Sequence, residues 1–386
     1  MLRFLTAGES HGPGLIVILD GLPAGLPFDR SRIDDDLRRR QGGYGRGGRM
    51  KIERDTAEAL SGVRHGHTLG SPITLRIANR DWENWREAMS ADPIAEPTEA
   101  VTRVRPGHAD LTGALKYGHD DVREVIERAS SRETAARVAA GGVCRLLLEA
   151  FGVAIHSHVL SVAEVGYPPD GAPDVGQVDA AFWERVEESP MRCADAALTQ
   201  RMIERILEGK RQGDTCGGVF EVVATGVPVG LGSYSQWDRR LGARLGMAMM
   251  SIPSVKAMEI GAGFGATRST GSQVHDVLQH DEQGRWLHLS NNAGGIEGGI
   301  TDGEPVVVRV GVKPIPTLAH PLPSIDLATG ENIDQSRYER SDVCVVPAAG
   351  VVGEAMMAIV LTEALLEKFG GDSIKEMLRN YRATVQ

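Results

Sequence analysis

The stretch that most limits how this chain can fold is residues 351–366, its most apolar late run, interrupted only by Glu354 and Glu363. It reads as too short and too charged to span a bilayer. A helix apolar on nearly every side is stable only when other elements cover it, so this one is expected in the core. Pro347 starts it and Gly370-Gly371 ends it. A second long helix is expected from Thr134 through Phe151, stopped by Gly152. Strand-type runs lie at 2–6, 15–19, 51–60, 71–77, 153–165, 219–224 and 306–310, and helical patterns at 31–40, 199–208 and 237–250. These come in mixed groups without strict β-α alternation, which predicts an α+β fold over a doubly wound one. A length of 386 residues would by itself allow two or three domains.

Composition narrows the partners. The net charge of −10 argues against a nucleic-acid binder held by overall charge. Basic residues are nonetheless dense at Arg38–Arg40, Arg46, Arg49, Lys51 and Arg54, a pattern suited to a small anion. The 47 glycines exceed the usual ~7% share and sit in short loops. Cys144, Cys193, Cys216 and Cys344 are far apart, which predicts neither disulfides nor structural zinc and fits a reducing cytosol. The N-terminal residues lack the apolar core of a signal peptide.

Chemistry concentrates between residues 105 and 134. Arg105, His108, Arg128 and Arg132 lie close in sequence to a helix start, and Ser130 and Glu133 have capping-box spacing. A helix N-terminus favours an anion, and flanking arginines would add charge-assisted bonds. The plain alternative is a capped helix whose arginines are solvated or paired with Asp120, Asp121 and Glu124. Ser10-His11, framed by glycines between two strand runs, reads as a loop approached closely by a ligand or as a simple turn. Glycines alternate with arginines from Gly42 to Arg49, as in an anion clamp or an ordinary mobile tip.

Other motifs carry less. His65/His67 and His156/His158 are H-x-H pairs that could share a strand face, but no further ligand stands at metal spacing, so no metal site is expected. Residues 81–98, with Trp82 and Trp85, read as an acidic surface segment. Gly261-Ala-Gly-Phe-Gly-Ala266 matches a dinucleotide pattern, but no helix is predicted after it. Lys313-Pro-Ile-Pro-Thr317 is a rigid turn presenting one lysine, and Arg340-Ser-Asp342 precedes the apolar helix.

Arginines bind phosphate and carboxylate through paired N–H groups, and histidines move protons near neutral pH. The residues thus point to an enzyme using acid–base chemistry on a small phosphorylated or carboxylated metabolite. Two rivals stay open. A phosphotransferase or phosphatase would need Mg²⁺ and an acidic metal site; a non-catalytic phosphometabolite- or RNA-binding module would show steep salt dependence.

The segments 8–12 (Gly-Glu-Ser-His-Gly), 38–49, 105–110 (Arg-Pro-Gly-His-Ala-Asp), 131–135 (Ser-Arg-Glu-Thr-Ala), 313–317 and 340–344 (Arg-Ser-Asp-Val-Cys) resemble the signature segments of the chorismate synthase family. The resemblance runs from about Met1 to Phe369. It implies one domain over 1–386, an α+β β-α-β sandwich with helices packed between β layers, and a cytoplasmic homotetramer without nucleic-acid or membrane partners. It implies a lyase that converts 5-enolpyruvylshikimate 3-phosphate to chorismate, the last common step of the shikimate pathway to aromatic amino acids. Phosphate and a ring proton leave in an anti-1,4 sense, and reduced FMN is required without net redox change.

Carried over by motif, His11 would protonate the departing phosphate and His108 would protonate or stabilise the reduced flavin. Asp342, acting through the flavin, would assist proton removal, and Ser10 and Ser130 would support the relay. Arg40, Arg46, Arg49, Arg105 and Arg132 would hold the substrate. Arg40 and Arg46 also answer to family positions for NADPH, the candidate reductant. Arg128, Ala129, Ser130, Pro253, Ser254, Gly298, Lys313, Pro314, Ile315, Pro316, Thr317 and Arg340 would contact FMN. The family often has Arg-Ser-Ser-Ala where this chain has Arg128-Ala-Ser-Ser, so Ala129 can offer only backbone.

Overall fold

The computed structural model describes residues 2–47, 53–96, 98–168, 171–284, 286–339 and 341–384. Arg49 and Arg340, both assigned to the site above, lie outside these residues.

Two antiparallel sheets frame the structure. The first contains β1 (Arg3–Ala7), β2 (Gly14–Asp20), β3 (Glu58–Ser61) and β4 (Ile73–Ala78), in the order β1-β2-β4-β3. Leu15, Val17 and Leu19 on β2 and Ile73, Leu75 and Ile77 on β4 alternate inward and are buried, as the period-two side-chain pattern requires. The second sheet contains β5 (Ala154–Val162), β6 (Val165–Gly166), β7 (Gly218–Thr225), β8 (Val255–Ile260) and β9 (Val306–Val312), in the order β8-β9-β7-β5-β6. The expected strand at 51–60 is confined, among its described residues, to β3.

Helices fill the space between. The first sheet is covered by α4 (Thr134–Glu149), which also packs on α1 (Arg30–Gln41), and α5 (Val346–Phe369) covers β5 and β7. α4 and α5 pack directly on each other. Gly141 permits that approach, because a Cβ there would lie 2.4 Å from Ala355 Cα and Cβ. At 24 residues α5 is long enough to cross a bilayer, which corrects the expectation from its apolar run. It is instead the core helix, with 94% of its most apolar window buried inside the protein. The sandwich with helices between β layers is thus the observed architecture.

A carboxylate of α5 is buried inside this core. Glu354 on α5 is fully buried and accepts from Arg39 (2.7 and 2.8 Å), Arg145 (2.7 Å), Arg192 (3.1 Å) and Ser157 (2.7 Å). Burial pushes its carboxyl up, but the three guanidinium groups outweigh that and hold it well below the usual carboxylate range.

Candidate active site

β1 and β2 are joined by the Gly8–Gly14 loop that carries Ser10 and His11. Gly8 has φ +105°, and a Cβ there would lie 2.3 Å from Gly14 O, so the tight return needs glycine at this position. Asn79, just past β4, pins the loop by donating to Glu9 O (3.1 Å) and Gly12 O (2.8 Å).

α3 (Arg123–Ala129) then presents Glu127 to His11. The Glu127 carboxylate accepts from His11 N (2.7 Å) and lies 2.9 and 3.1 Å from His11 Nδ1. Glu127 is 3% exposed, so this is a charge-assisted contact in a dry setting. The His11 ring also packs on Trp85 at 4.1 Å between centroids, and the Arg123 guanidinium lies 5.3 Å from the Trp85 centroid. Trp85 therefore belongs to this site, not to a featureless acidic segment.

The chain between α3 and α4 holds Ser130 and Arg132. Ser130 Oγ accepts from Arg132 N (3.3 Å) as the cap of a short 3₁₀ turn, Ser131–Glu133. The expected Ser130–Glu133 capping box is not made; Glu133 instead accepts from Thr6 Oγ1 (2.8 Å) and Arg137 Nε (2.9 Å). Arg128 points back to the β1 end, donating to Thr6 O (3.0 Å) and Gly8 O (3.1 Å). Arg137 also donates to Ser251 Oγ (2.8 Å) and so ties α4 to the turn before Pro253 and Ser254.

Arg132 is buried. Its Nη1 donates to both Asp55 oxygens (2.7 and 2.6 Å) and its Nε to Asn79 Oδ1 (2.9 Å), while Nη2 has no hydrogen-bond partner. Arg40 donates to Thr134 Oγ1 (2.9 Å) and Ser131 O (3.0 Å), with Asp55 at 3.5 Å. Burial pulls the Arg40 guanidinium down to about 9; Asp55 opposes this, and the charges of Arg132 and Arg46 add to it. Asp342 accepts from Gly47 N and pairs with Arg46 at 3.0 Å. Arg132 is thus buried and paired with Asp55, while Arg128 stays exposed to solvent and donates to backbone carbonyls. Arg40 and Arg132 share Asp55, and Arg46 takes Asp342.

His108 heads a second group. Its Nδ1 hydrogen-bonds the fully buried Asp110 at the start of α2 (Asp110–Tyr117). Asp110 also accepts from Arg105 N (3.0 Å), Nε (2.8 Å) and Nη2 (3.0 Å). Burial raises the Asp110 carboxyl, but the His108 and Arg105 bonds hold it well below its ordinary range. With the Nδ1 proton directed at Asp110, the 3.1 Å contact from Arg105 Nη2 to that nitrogen joins two donors and is not a hydrogen bond. Arg105 Nη1 donates to Thr317 Oγ1 (3.1 Å), and Lys313 Nζ donates to Gly107 O. Burial, with Lys256 nearby, lowers the Lys313 ammonium. Lys313 N in turn donates to Ser254 O (2.9 Å), and Ser254 adopts φ +70°.

Hydrogen bonds thereby tie the segment 128–130 to the His11 loop, and 253–254 and 313–317 to the His108 group. Gly298 is not among them. It turns the hairpin between 296–297 and 300–301, beyond the Ile260 end of β8, whereas Ser254 and Lys313 flank the Val255–Val312 end. About 20 Å of strand separates the two ends.

The remaining sequence candidates fall elsewhere. His65 (φ +50°) and His67 flank a turn and share no strand face, while His156 and His158 lie on β5 beside Trp183. The 261–266 run forms one four-residue turn, Gly263–Ala266. A cavity of about 810 Å³ lies beside the Glu354 network, lined by Arg39, Arg145, His156, Trp183 and Arg192.

Two histidines, each backed by a buried carboxylate, and a buried arginine with an unsatisfied N–H near the His11 loop are the groups an enzyme needs to move protons beside a bound anion. The chorismate synthase family model matches residues 2–366. Chorismate synthase of Moorella thermoacetica is 55% identical, covering 100% of both chains. That of Aquifex aeolicus is 54% identical, covering 98% of this chain and 96% of its own. A crystal structure of chorismate synthase superposes with TM-score 0.78 at 44% identity, covering 100% of this chain and 97% of that one. The chain belongs to the chorismate synthase family. Its activity is that of this carbon–oxygen lyase, within aromatic biosynthesis.

Proposed function

We propose that the chain eliminates phosphate from 5-enolpyruvylshikimate 3-phosphate with reduced FMN bound between the His11 and His108 groups, as one domain of a cytosolic homotetramer. The observation that carries the reading is Arg132 Nη2, a buried donor that makes no hydrogen bond, its nearest carboxylate being Glu53 Oε2 at 3.9 Å, one Asn79 side chain away from the His11 loop. A buried unsatisfied N–H costs about 1–3 kcal/mol, and a phosphate or carboxylate oxygen would satisfy it.

The residues fit reduced FMN on the same kind of evidence. Lys313 is half-buried near a second ammonium, Lys256, and its hydrogen bond goes to a neutral carbonyl, Gly107 O. An anionic group beside it would relieve that crowding. Arg128, Ala129, Ser130, Pro253, Ser254, Lys313, Pro314, Ile315, Pro316 and Thr317 would line the flavin. Gly298 would reach it from a neighbouring subunit. Arg49 and Arg340 keep their substrate and flavin roles from the family resemblance. When bound, reduced FMN supplies electron density that helps phosphate leave.

His11 delivers a proton to the departing phosphate from Nε2, because Nδ1 is committed to Glu127. His108, oriented through Nδ1 by Asp110, presents Nε2 to the flavin. Asp342, held by Gly47 N–H and Arg46, would assist removal of the ring proton. Ser10 and Ser130 would support the proton relay, with Ser130 Oγ also accepting from Arg132 N. Arg105, Arg40 and Arg46 position Asp110, Ser131 and Asp342 respectively, with Arg132 as the direct anion contact. NADPH completes the reading as the source of reducing equivalents, at the Arg40 and Arg46 positions. Nucleic acid and membrane have no part in it.

Anaerobic addition of 5-enolpyruvylshikimate 3-phosphate and photoreduced FMN tests this, with chorismate absorbance as the readout. Turnover that requires reduced FMN is expected; chorismate formation with oxidised FMN alone would defeat the cofactor assignment.

A further inference from the structure

The far end of the second sheet carries a cluster that the reaction does not use. An antiparallel pair, Leu278–His280 with Trp286–His288, ends at His288. The hairpin around Gly298 brings Glu297 alongside, and Asp302 and Glu304 follow its second strand. One ligand atom each from His288, Glu297 and Asp302 lie within 4.8 Å of one another. A cation 2.0–2.2 Å from each donor needs donors about 3–4.3 Å apart, so small side-chain rotations would close the set.

The imidazole points to a ligand independently of the acids. The His288 side chain is 6% exposed, with Nδ1 3.4 Å from Glu304 Oε1 and Nε2 4.0 Å from Glu297 Oε2. Among the described residues neither ring nitrogen makes a hydrogen bond, so the imidazole's contacts here are these two ion-pair distances and its nitrogens stay open to a ligand. Three carboxylates crowd it, and among the described residues none of them pairs with a lysine or arginine. A protonated His288 would balance only one of three charges. Asp276, also near, is committed to Ser290 Oγ and the amides of Asn292 and Ala293.

We propose that His288, Glu297 and Asp302 bind one divalent cation of the zinc and manganese class, with Glu304 as a fourth donor, stapling the 278–288 hairpin to the Gly298 turn. One imidazole nitrogen among oxygens favours these ions over calcium or magnesium, which prefer all-oxygen sets. The proposal stands whether or not Gly298 touches a flavin.

Full-length protein stripped with chelator and titrated calorimetrically with ZnCl₂, and separately with MnCl₂, provides the test. Expected are one equivalent bound per chain and a metal-dependent rise in Tm. His288→Gln and Asp302→Asn should each weaken binding at least tenfold and lose the Tm rise, with unchanged far-UV circular dichroism. Absence of saturable one-to-one binding by both metals would overturn the site. So would equal affinity in wild type and both variants, which would place the metal elsewhere, and so would His288→Gln raising Tm with no metal effect in wild type.

Discussion

Glu127→Gln isolates the carboxylate behind His11 while preserving shape. Glutamine keeps an oxygen for the His11 backbone N–H but removes the negative charge 2.9 Å from Nδ1. At that separation a unit charge pair is worth about 1.4 kcal/mol in water and roughly 6 kcal/mol at an effective dielectric of about 20. His11 is one-fifth exposed and Glu127 nearly enclosed, so a value between these limits applies, roughly 2–3 kcal/mol. The charge matters only when the imidazole is cationic, the form that donates to leaving phosphate. The loss should therefore fall on the chemical step, lowering kcat ~30- to 150-fold. KM should stay within about threefold, because Glu127 makes no contact assigned to substrate. Stopped-flow chorismate formation under anaerobic, FMN-saturated conditions separates the two parameters. A kcat within threefold of wild type, in protein of unchanged Tm, would show that His11 is not the acid held by Glu127.

Arg132→Ala is expected to destabilise the protein by about 3–5 kcal/mol, because it leaves the buried Asp55 carboxylate with only the longer 3.5 Å contact from Arg40; Arg132→Lys keeps the charge and should instead weaken substrate binding about tenfold or more, read by isothermal titration. Asp110→Asn should cut kcat without preventing folding, since it removes the charge behind His108 and leaves one acceptor oxygen for Arg105 and His108 to share, so the tautomer of His108 is no longer fixed; unchanged turnover would remove His108 from the mechanism. Glu354 and Glu187 have depressed carboxyls, Glu187 down to about 2 against burial through Arg39 and Arg192. Their stabilisation is present above the ordinary carboxylate range, ~4.3, and fades as pH falls through the folded values. Glu354→Gln should therefore lower Tm clearly at pH 7 and by less at pH 3; an equal deficit at both would contradict the network's charge. Burial pushes the Cys144 and Cys344 thiols up to about 12, so both should resist alkylation until the protein is unfolded, as mass spectrometry can follow.

What the sequence displayed and what it hid divide along range. Helix α4 and the strands on either side of His11 were legible because their signals are local: apolar period, a flanking glycine, a serine cap. The capping box failed for a local reason too, since Glu133 had better partners in Arg137, one helical turn on, and Thr6 on a distant strand. The His65/His67 pair failed because Gly66, at φ +73°, turns the chain between them. His11, His108, Arg132 and Asp342 could be nominated from residue type and their glycine or proline surroundings.

Their partners could not. Glu127 meets His11 across 116 positions, Asp55 meets Arg132 across 77, and Gly47 N meets Asp342 across 295. Glu127, Asp55, Asn79 and Trp85 sit in segments whose local pattern reads as helix surface, strand end or acidic loop. These hidden partners change the chemistry assigned to the visible ones. Arg40, Arg46 and Arg132 looked like free cations waiting for an anion, yet each already engages a carboxylate. Substrate selection then cannot rest on net positive charge alone. In the proposed reading it rests on direction: Asp55 and Asn79 occupy Nη1 and Nε of Arg132 and leave Nη2 as the donor without a hydrogen bond. A buried cation restrained in this way would recognise one oxygen at one place, which is what the proposed elimination of a particular phosphate demands.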